Sequence, residues 1–279
     1  MIHLYIALII LALFQGVAEF LPISSSGHLV LLGEIPFVRN ALSAAGEDLN
    51  LLINVSLHVA TLIAILIYLR SDILRIFTGF FSQLFAENYS GKEFKTGLYV
   101  LTASVPAGVL GLMLHEYFEM LFNAPFLVFI FLIINGIILI TANKIGSKGR
   151  KIEEAGFLRS LVIGFCQAFA MIPGISRAGM TISGGILNGL EPVEAARFSF
   201  LMAIPVIAGA GLLEGINAAG KSFTPESLAA VALGMAVSVI VALGAIRVLF
   251  WVVKKVRLDI FGYYTIAVGI SGLAVTYLF

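Results

Sequence analysis

The chain has 279 residues, of which 60% are hydrophobic and only 12% charged, whereas soluble domains carry about 25% charged residues. That composition excludes an ordinary soluble domain, and a net charge of +1 leaves no basic footprint for nucleic acid. Cys166 is the only cysteine, so no disulfide forms within the chain. The expected architecture is one membrane domain, 1–279, with room for several spans of about 20 residues.

The first apolar run, Leu4 to Phe14, lacks a basic leader, and polar residues stand where a cleavage site would lie. It is therefore read as structure and not as a signal peptide. It belongs to a region, 3–36, that is apolar but broken at "FLPISSSGH". Full spans are predicted at 50–70, 96–114 and 124–143, with 70–95 as a connecting loop. A second broken region, 157–190, is interrupted at "IPGISRAG", and further spans are predicted at 195–216, 226–250 and 260–279. Proline and glycine in mid-segment free backbone groups that survive in a bilayer only inside protein or beside a wet cavity. Both broken regions are thus read as re-entrant helix–loop–helix hairpins.

Charge supports that count. With both hairpins returning to the side they enter from, one face collects twelve basic residues, in 70–95, 144–159 and 254–257. The other face collects only Arg39 and Lys221. The basic face is expected in the cytoplasm. Both termini and the mouth of the first hairpin then lie outside.

The two breaks also resemble each other. A shift of 152 places Gln15 on Gln167, Ala18 on Ala170, Ile23 on Ile175, Ser24 on Ser176 and Gly27 on Gly179. Each hairpin is followed by three spans, an odd number, so the second copy is inverted. The fold class predicted is an all-α polytopic membrane protein: six transmembrane helices plus two re-entrant hairpins in an inverted-topology repeat. Its halves run roughly 1–143 and 156–279. In such repeats the site lies near the midplane, where the broken helices meet.

Ionisable groups at that depth are costly and are functional candidates. Gln15 and Glu19, four apart, share a helix face and offer oxygen ligands for a divalent cation; alternatively they satisfy the broken backbone. Ser24, Ser25 and Ser26 precede His28, which gives a hydroxyl and a base one helical turn apart. At least one of these serines is expected only to cap a helix. In the second break Ser176, Arg177 and Thr181 accompany Gly174 and Gly179. A guanidinium fork, hydroxyls and a helix start suit a phosphate; the plainer reading of Arg177 is a salt bridge to Glu19. Together these groups suit phosphoryl transfer from a membrane-resident phosphate ester.

"QGVAEFLPISSSGH" and "PGISRAGMTISGG" resemble the two signature regions of the undecaprenyl-pyrophosphate phosphatase (bacitracin-resistance) family, and the likeness extends across the whole chain. The resemblance implies an interdigitated inverted repeat. It also implies hydrolysis of a polyprenyl pyrophosphate lipid to the monophosphate and inorganic phosphate at the outer face of the cell membrane, recycling the carrier for envelope polymers. A divalent cation, Mg2+ or Ca2+, is implied at Glu19 and Gln15. By this likeness Gln15, Glu19, Ser24, Ser25, His28, Ser176, Arg177 and Thr181 fill the motif positions. Ser25, His28, Glu19 and Arg177 are read as catalytic, with Ser25 attacking phosphorus and His28 as its base or acid, and with His28 itself or a metal-activated water as the other candidate nucleophiles. Ser24, Ser26, Ser176, Thr181 and Gly174 bind substrate. Two departures stand out: Gln15 takes a glutamine option at an acidic position, and Ala178 replaces a usual serine. The inverted repeat also motivates a transporter or flippase for polyprenyl phosphate or a small anion.

Overall fold

The computed structural model describes residues 2–33, 35–122, 124–146, 148–218, 220–255 and 257–278, without the side chains of 115, 116, 119, 122 and 275–278. The described residues are built from helices: α1 (Ile2–Ala18), α2 (Ser25–Gly33), α3 (Pro36–Ala45), α4 (Glu47–Tyr68), α5 (Arg70–Phe85), α6 (Lys92–Met113), α7 (His115–Phe122), α8 (Pro125–Ile145), α9 (Phe157–Phe169), α10 (Arg177–Leu187), α11 (Pro192–Ala218), α12 (Pro225–Lys254) and α13 (Asp259–Leu278). Among them α4, α6, α8, α11 and α12 are long and apolar enough to cross a membrane. The sixth predicted span forms α13; its last side chains, and Phe279, fall outside the described residues.

Both breaks lie where they are expected. At about 1.5 Å per residue, α9 is roughly 20 Å long, too short to cross about 30 Å of hydrocarbon by itself. In each broken region the two short helices pack against one another. The 152-residue shift holds in the fold as well: α2 begins at Ser25 and α10 at Arg177. Ser24 Oγ accepts from the Gly27 amide at 3.2 Å, and Ser176 Oγ accepts from the Gly179 amide at 3.1 Å. These are the same cap at equivalent positions, satisfying an amide that the helix start leaves orphaned.

The first helix of each broken region packs on a span from the other half: α1 on α12, and α9 on α6. Glycine makes each approach. A Cβ at Gly16 would lie 2.8 Å from the Ser238 carbonyl oxygen, and one at Gly164 would lie 2.6 Å from that of Ala103. The α8–α13 pair is closer still. A Cβ at Gly136 would sit 2.4 Å from the Gly262 oxygen, and one at Gly262 would sit 2.7 Å from the Gly136 oxygen. Backbones that close are the usual means of packing where surrounding lipid is as apolar as the side chains.

The segment expected as a loop at 70–95 is instead largely helix α5. Phe80 stacks on Phe94 of α6 with centroids 5.1 Å apart, and a Cβ at Gly97 would meet the Phe80 ring at 2.6 Å. Asp72 takes Arg75 at 2.9 Å and Arg197 at 3.3 Å. Four phenylalanines at helical spacing (77, 80, 81, 85) give α5 an apolar side that its polar flanks conceal in a search for whole spans.

Asn135, buried in α8, joins the two breaks. Its Nδ2 donates to the Pro22 carbonyl at 3.1 Å, and its Oδ1 accepts from the Ser176 amide at 3.0 Å. These two backbone groups lost their helical partners when the helices broke, and one amide side chain supplies both. Phe20 is fully buried and meets Phe200 edge-to-face at 5.3 Å, anchoring the first break in the core.

Two stability measurements check these contacts. Gly136→Ala and Gly262→Ala should each destabilise the detergent-solubilised protein by about 1–3 kcal/mol through overpacking. Because the two glycines face each other, the double variant should lose less than the sum. Asn135→Leu leaves two buried backbone groups unpaired, and its melting temperature should fall by about 5 °C or more. An unchanged melting temperature would mean that the breaks hold without the clamp.

Candidate active site

Glu19 is the first residue past α1, and its amide still bonds the Gln15 carbonyl at 3.0 Å. Its side chain is 7% exposed. Three groups converge on its carboxylate. Arg177 Nη2 reaches Oε1 at 2.7 Å, Gln15 Nε2 donates to Oε2 at 3.1 Å, and Ser25 Oγ donates to Oε2 at 3.1 Å. Ser25 and Arg177 are the first residues of α2 and α10, so two helix N-termini and their positive ends aim at one place. The structure thus brings three of the candidate residues to the carboxylate of a fourth.

Two polar atoms there are buried without a partner: Arg177 Nη1 and Gln15 Oε1. The salt bridge expected as the plainer role of Arg177 is present, yet it uses only part of the guanidinium. A planar fork with a free arm in a dry setting has unused capacity for an anion's oxygen. The free amide oxygen of Gln15 has the complementary capacity for a cation or a donor.

His28 lies elsewhere in the cluster. Its Nδ1 is 2.8 Å from the Ser24 carbonyl oxygen, and its Nε2 is 2.8 Å from the Tyr264 hydroxyl. Neither nitrogen bonds Ser25; the group that meets Ser25 Oγ is Glu19. Three-residue spacing places Ser25 and His28 a turn apart on α2, but the ring turns back to the carbonyl four residues before it. Phe14 of α1 flanks the ring, centroids 6.5 Å apart.

The remaining candidates hold the frame. Ser24 takes the capping role expected of one of the three serines. It does so at φ +72°, left-handed backbone that a non-glycine residue adopts only at a cost. Ser26 Oγ contacts Ser24 Oγ at 3.2 Å and accepts from the Gly174 amide at 3.3 Å, tying one break to the other. Gly174 has φ +95°, and a Cβ there would lie 2.4 Å from the Val128 carbonyl oxygen. Ser176 caps α10. Thr181 is buried, with its hydroxyl on the Arg177 carbonyl at 2.7 Å and on Ser199 Oγ at 2.6 Å. Ser24, Ser176 and Thr181 therefore have protein partners of their own.

Two residues of the cluster lie outside both signature stretches: Asn135 of α8, a polar group within a predicted span, and Tyr264 of α13. Only the convergence of the breaks gives either a particular place.

For the implied divalent cation, no group of three or more His, Cys, Asp or Glu side chains converges among the described residues. The oxygens present are those of Glu19 and Gln15, with Gln15 Oε1 unpartnered. That set fits a cation held mostly by substrate phosphates and water, as Mg2+ commonly is, and not an all-protein cage.

Comparison with known proteins agrees with the two motifs. The Bacitracin resistance protein BacA family matches residues 8–271. An undecaprenyl-diphosphatase of Rubrobacter xylanophilus is 37% identical over 262 residues, 94% of both chains. One of Korarchaeum cryptofilum is 37% identical over 271 residues, 95% of this chain and 97% of that one. One of Methanosphaera stadtmanae is 34% identical over 272 residues, 94% of each. With two signature breaks meeting at one carboxylate and a match across nearly its whole length, this chain belongs to the bacitracin resistance protein BacA family.

Proposed function

We propose that the chain is a membrane-embedded phosphatase that converts undecaprenyl (polyprenyl) pyrophosphate to the monophosphate and inorganic phosphate. The observation that carries this reading is the free Nη1 of Arg177, buried beside a serine hydroxyl on a carboxylate. The names of the relatives support the substrate class. They do not favour the transporter reading, for which the repeat alone speaks.

In the proposed reaction Arg177 binds the terminal phosphate through the arm that Glu19 leaves free. Ser25 Oγ attacks the terminal phosphorus while its proton passes to Glu19 Oε2, already 3.1 Å away. The bond from phosphorus to the bridging oxygen breaks, and polyprenyl monophosphate leaves. Water then attacks the phosphoserine phosphorus as its proton passes to His28 Nε2. The bond from phosphorus to Ser25 Oγ breaks, Glu19 returns its proton to Ser25 Oγ, and inorganic phosphate leaves as His28 releases its proton to water. A divalent cation, Mg2+ or Ca2+, held by Glu19 and Gln15 with the pyrophosphate, would supply charge neutralisation at the phosphate oxygens. In this account the sequence expectation of His28 as the partner of Ser25 moves to the second step. Ser24, Ser26, Ser176, Thr181 and Gly174 shape the phosphate site by holding its walls.

The layout we infer is six spans plus two re-entrant hairpins, with α1–α2 and α9–α10 as the hairpins and the halves 1–143 and 156–279 inverted. Supporting it are the shared 152-residue offset and the crossed packing of α1 on α12 and α9 on α6. The positive-inside bias favours a plasma-membrane orientation with termini and active site facing out.

Two experiments test these readings. Purified protein should release phosphate from a polyprenyl pyrophosphate, and a chelator should suppress this until Mg2+ or Ca2+ returns. Ser25→Ala, His28→Ala and Arg177→Ala should each lose about 10²-fold or more, as should Glu19→Gln, which keeps the side chain's shape. Full activity in all four would place the site elsewhere. For orientation, cysteines are introduced as Arg39→Cys, Lys221→Cys, Lys92→Cys and Lys151→Cys in a Cys166→Ser background. An impermeant maleimide on intact cells should label 39 and 221, and reach 92 and 151 only once the membrane is opened. The opposite pattern would reverse the orientation.

A further inference from the structure

Tyr264 belongs to neither signature region. It comes from α13, 236 positions after the histidine that its hydroxyl meets at 2.8 Å. The two rings lie 6° from parallel with centroids 5.7 Å apart. The other ring nitrogen, Nδ1, faces the Ser24 carbonyl. A carbonyl oxygen only accepts, so Nδ1 carries a proton. In the neutral ring Nε2 then holds the lone pair, and the tyrosine hydroxyl is the donor to it. Each end of the imidazole is fixed by a different element of the fold.

The placement of Tyr264 has its own cause. It lies two residues beyond Gly262, at a close approach of α13 to α8. That approach fixes α13 against the helix that carries Asn135, which clamps both breaks. The last helix is thereby in register with the site. Tyr264 is 43% exposed, so its ring is not committed to the core, and its one polar atom points inward to His28.

We propose that Tyr264 is a positioning residue for His28: its hydroxyl holds the imidazole in the tautomer and orientation that present Nε2 as a base. Water approaching Nε2 donates in place of the hydroxyl, and Tyr264 keeps its own proton throughout. This rests on the role given to His28 above, and one arm of the test reads the contact without any turnover.

The first arm is chemical. Diethyl pyrocarbonate modifies histidine at an unprotonated ring nitrogen, and mass spectrometry of the peptides separates His28 from His3, His58 and His115. In Tyr264→Phe the lone pair at Nε2 loses its donor, and modification of His28 should be several-fold faster than in the unaltered protein, with the other three unchanged. An unchanged rate at His28 would overturn the proposal whether or not the protein is a phosphatase. The second arm is kinetic. Tyr264→Phe should lower kcat about tenfold with little change in KM, since the lost contact orients a catalytic group and does not bind lipid. Tyr264→Leu should match Tyr264→Phe; activity kept by Phe and lost by Leu would assign the ring's packing, not the hydroxyl. In a His28→Gln background Tyr264→Phe should cost nothing more. Two losses that multiply would show that Tyr264 acts independently of His28, and the proposal would fall.

Discussion

A carboxylate and a guanidinium 2.7 Å apart, both largely buried in a membrane protein, set the terms for everything around them. Neither ion survives alone at that depth, because an unpaired charge there costs several kcal/mol or more. Glu19 stands at the end of one helix and Arg177 at the start of another, 158 residues later. Their pairing therefore demands that two breaks in the helical backbone meet. The breaks in turn expose backbone groups that only protein can satisfy. Asn135, the Ser26–Gly174 contact and the two serine caps provide that satisfaction. The ion pair and the unusual backbone thus depend on each other. In the proposed reaction a phosphate entering beside Arg177 would change one anion partner for two, so the guanidinium would not be left bare.

The 152-residue offset separates scaffold from chemistry. Two matched pairs do structural work in both copies: Ser24 and Ser176 cap, while Gly27 and Gly179 supply the capped amides. The groups proposed to react stand at positions that differ. Ser25 stands opposite Arg177, Glu19 opposite Met171, and His28 opposite Met180. Two equal copies would present two carboxylates or two guanidiniums to each other. Divergence at two of these positions gives one carboxylate, one guanidinium and one serine hydroxyl converging on one point, while the helix starts that position them stay alike.

The breaks and the spans were legible because they rest on local chemistry: proline and glycine interrupt a helix wherever they stand, and apolar length announces a span. The polar candidates were legible for the same reason, as ionisable groups out of place. What escaped was set by direction and by distance along the chain. Spacing puts Ser25 and His28 a turn apart, but it does not say that the ring turns to the Ser24 carbonyl and leaves the serine to Glu19. Asn135 and Tyr264 acquire their places only when α8 and α13 pack through facing glycines. A residue that acts across more than a hundred positions leaves no local pattern. Helix α5 escaped differently, since its apolar side is one stripe among polar residues and not a continuous run.

Ser24 shows how these levels lock together. Its φ of +72° is unfavourable for a side chain with a Cβ, and a glycine would relieve it. Glycine would also remove the hydroxyl that caps α2 and contacts Ser26, which in turn holds the Gly174 amide. The carbonyl that fixes the His28 ring belongs to the same residue. The left-handed turn thus serves the cap and the histidine at once, and its strain is borne by contacts on both sides of the site. Strain of this kind persists only where the surroundings over-determine it. Here they include both breaks, and they place this strained serine between the carboxylate that meets Ser25 and the imidazole that meets Tyr264.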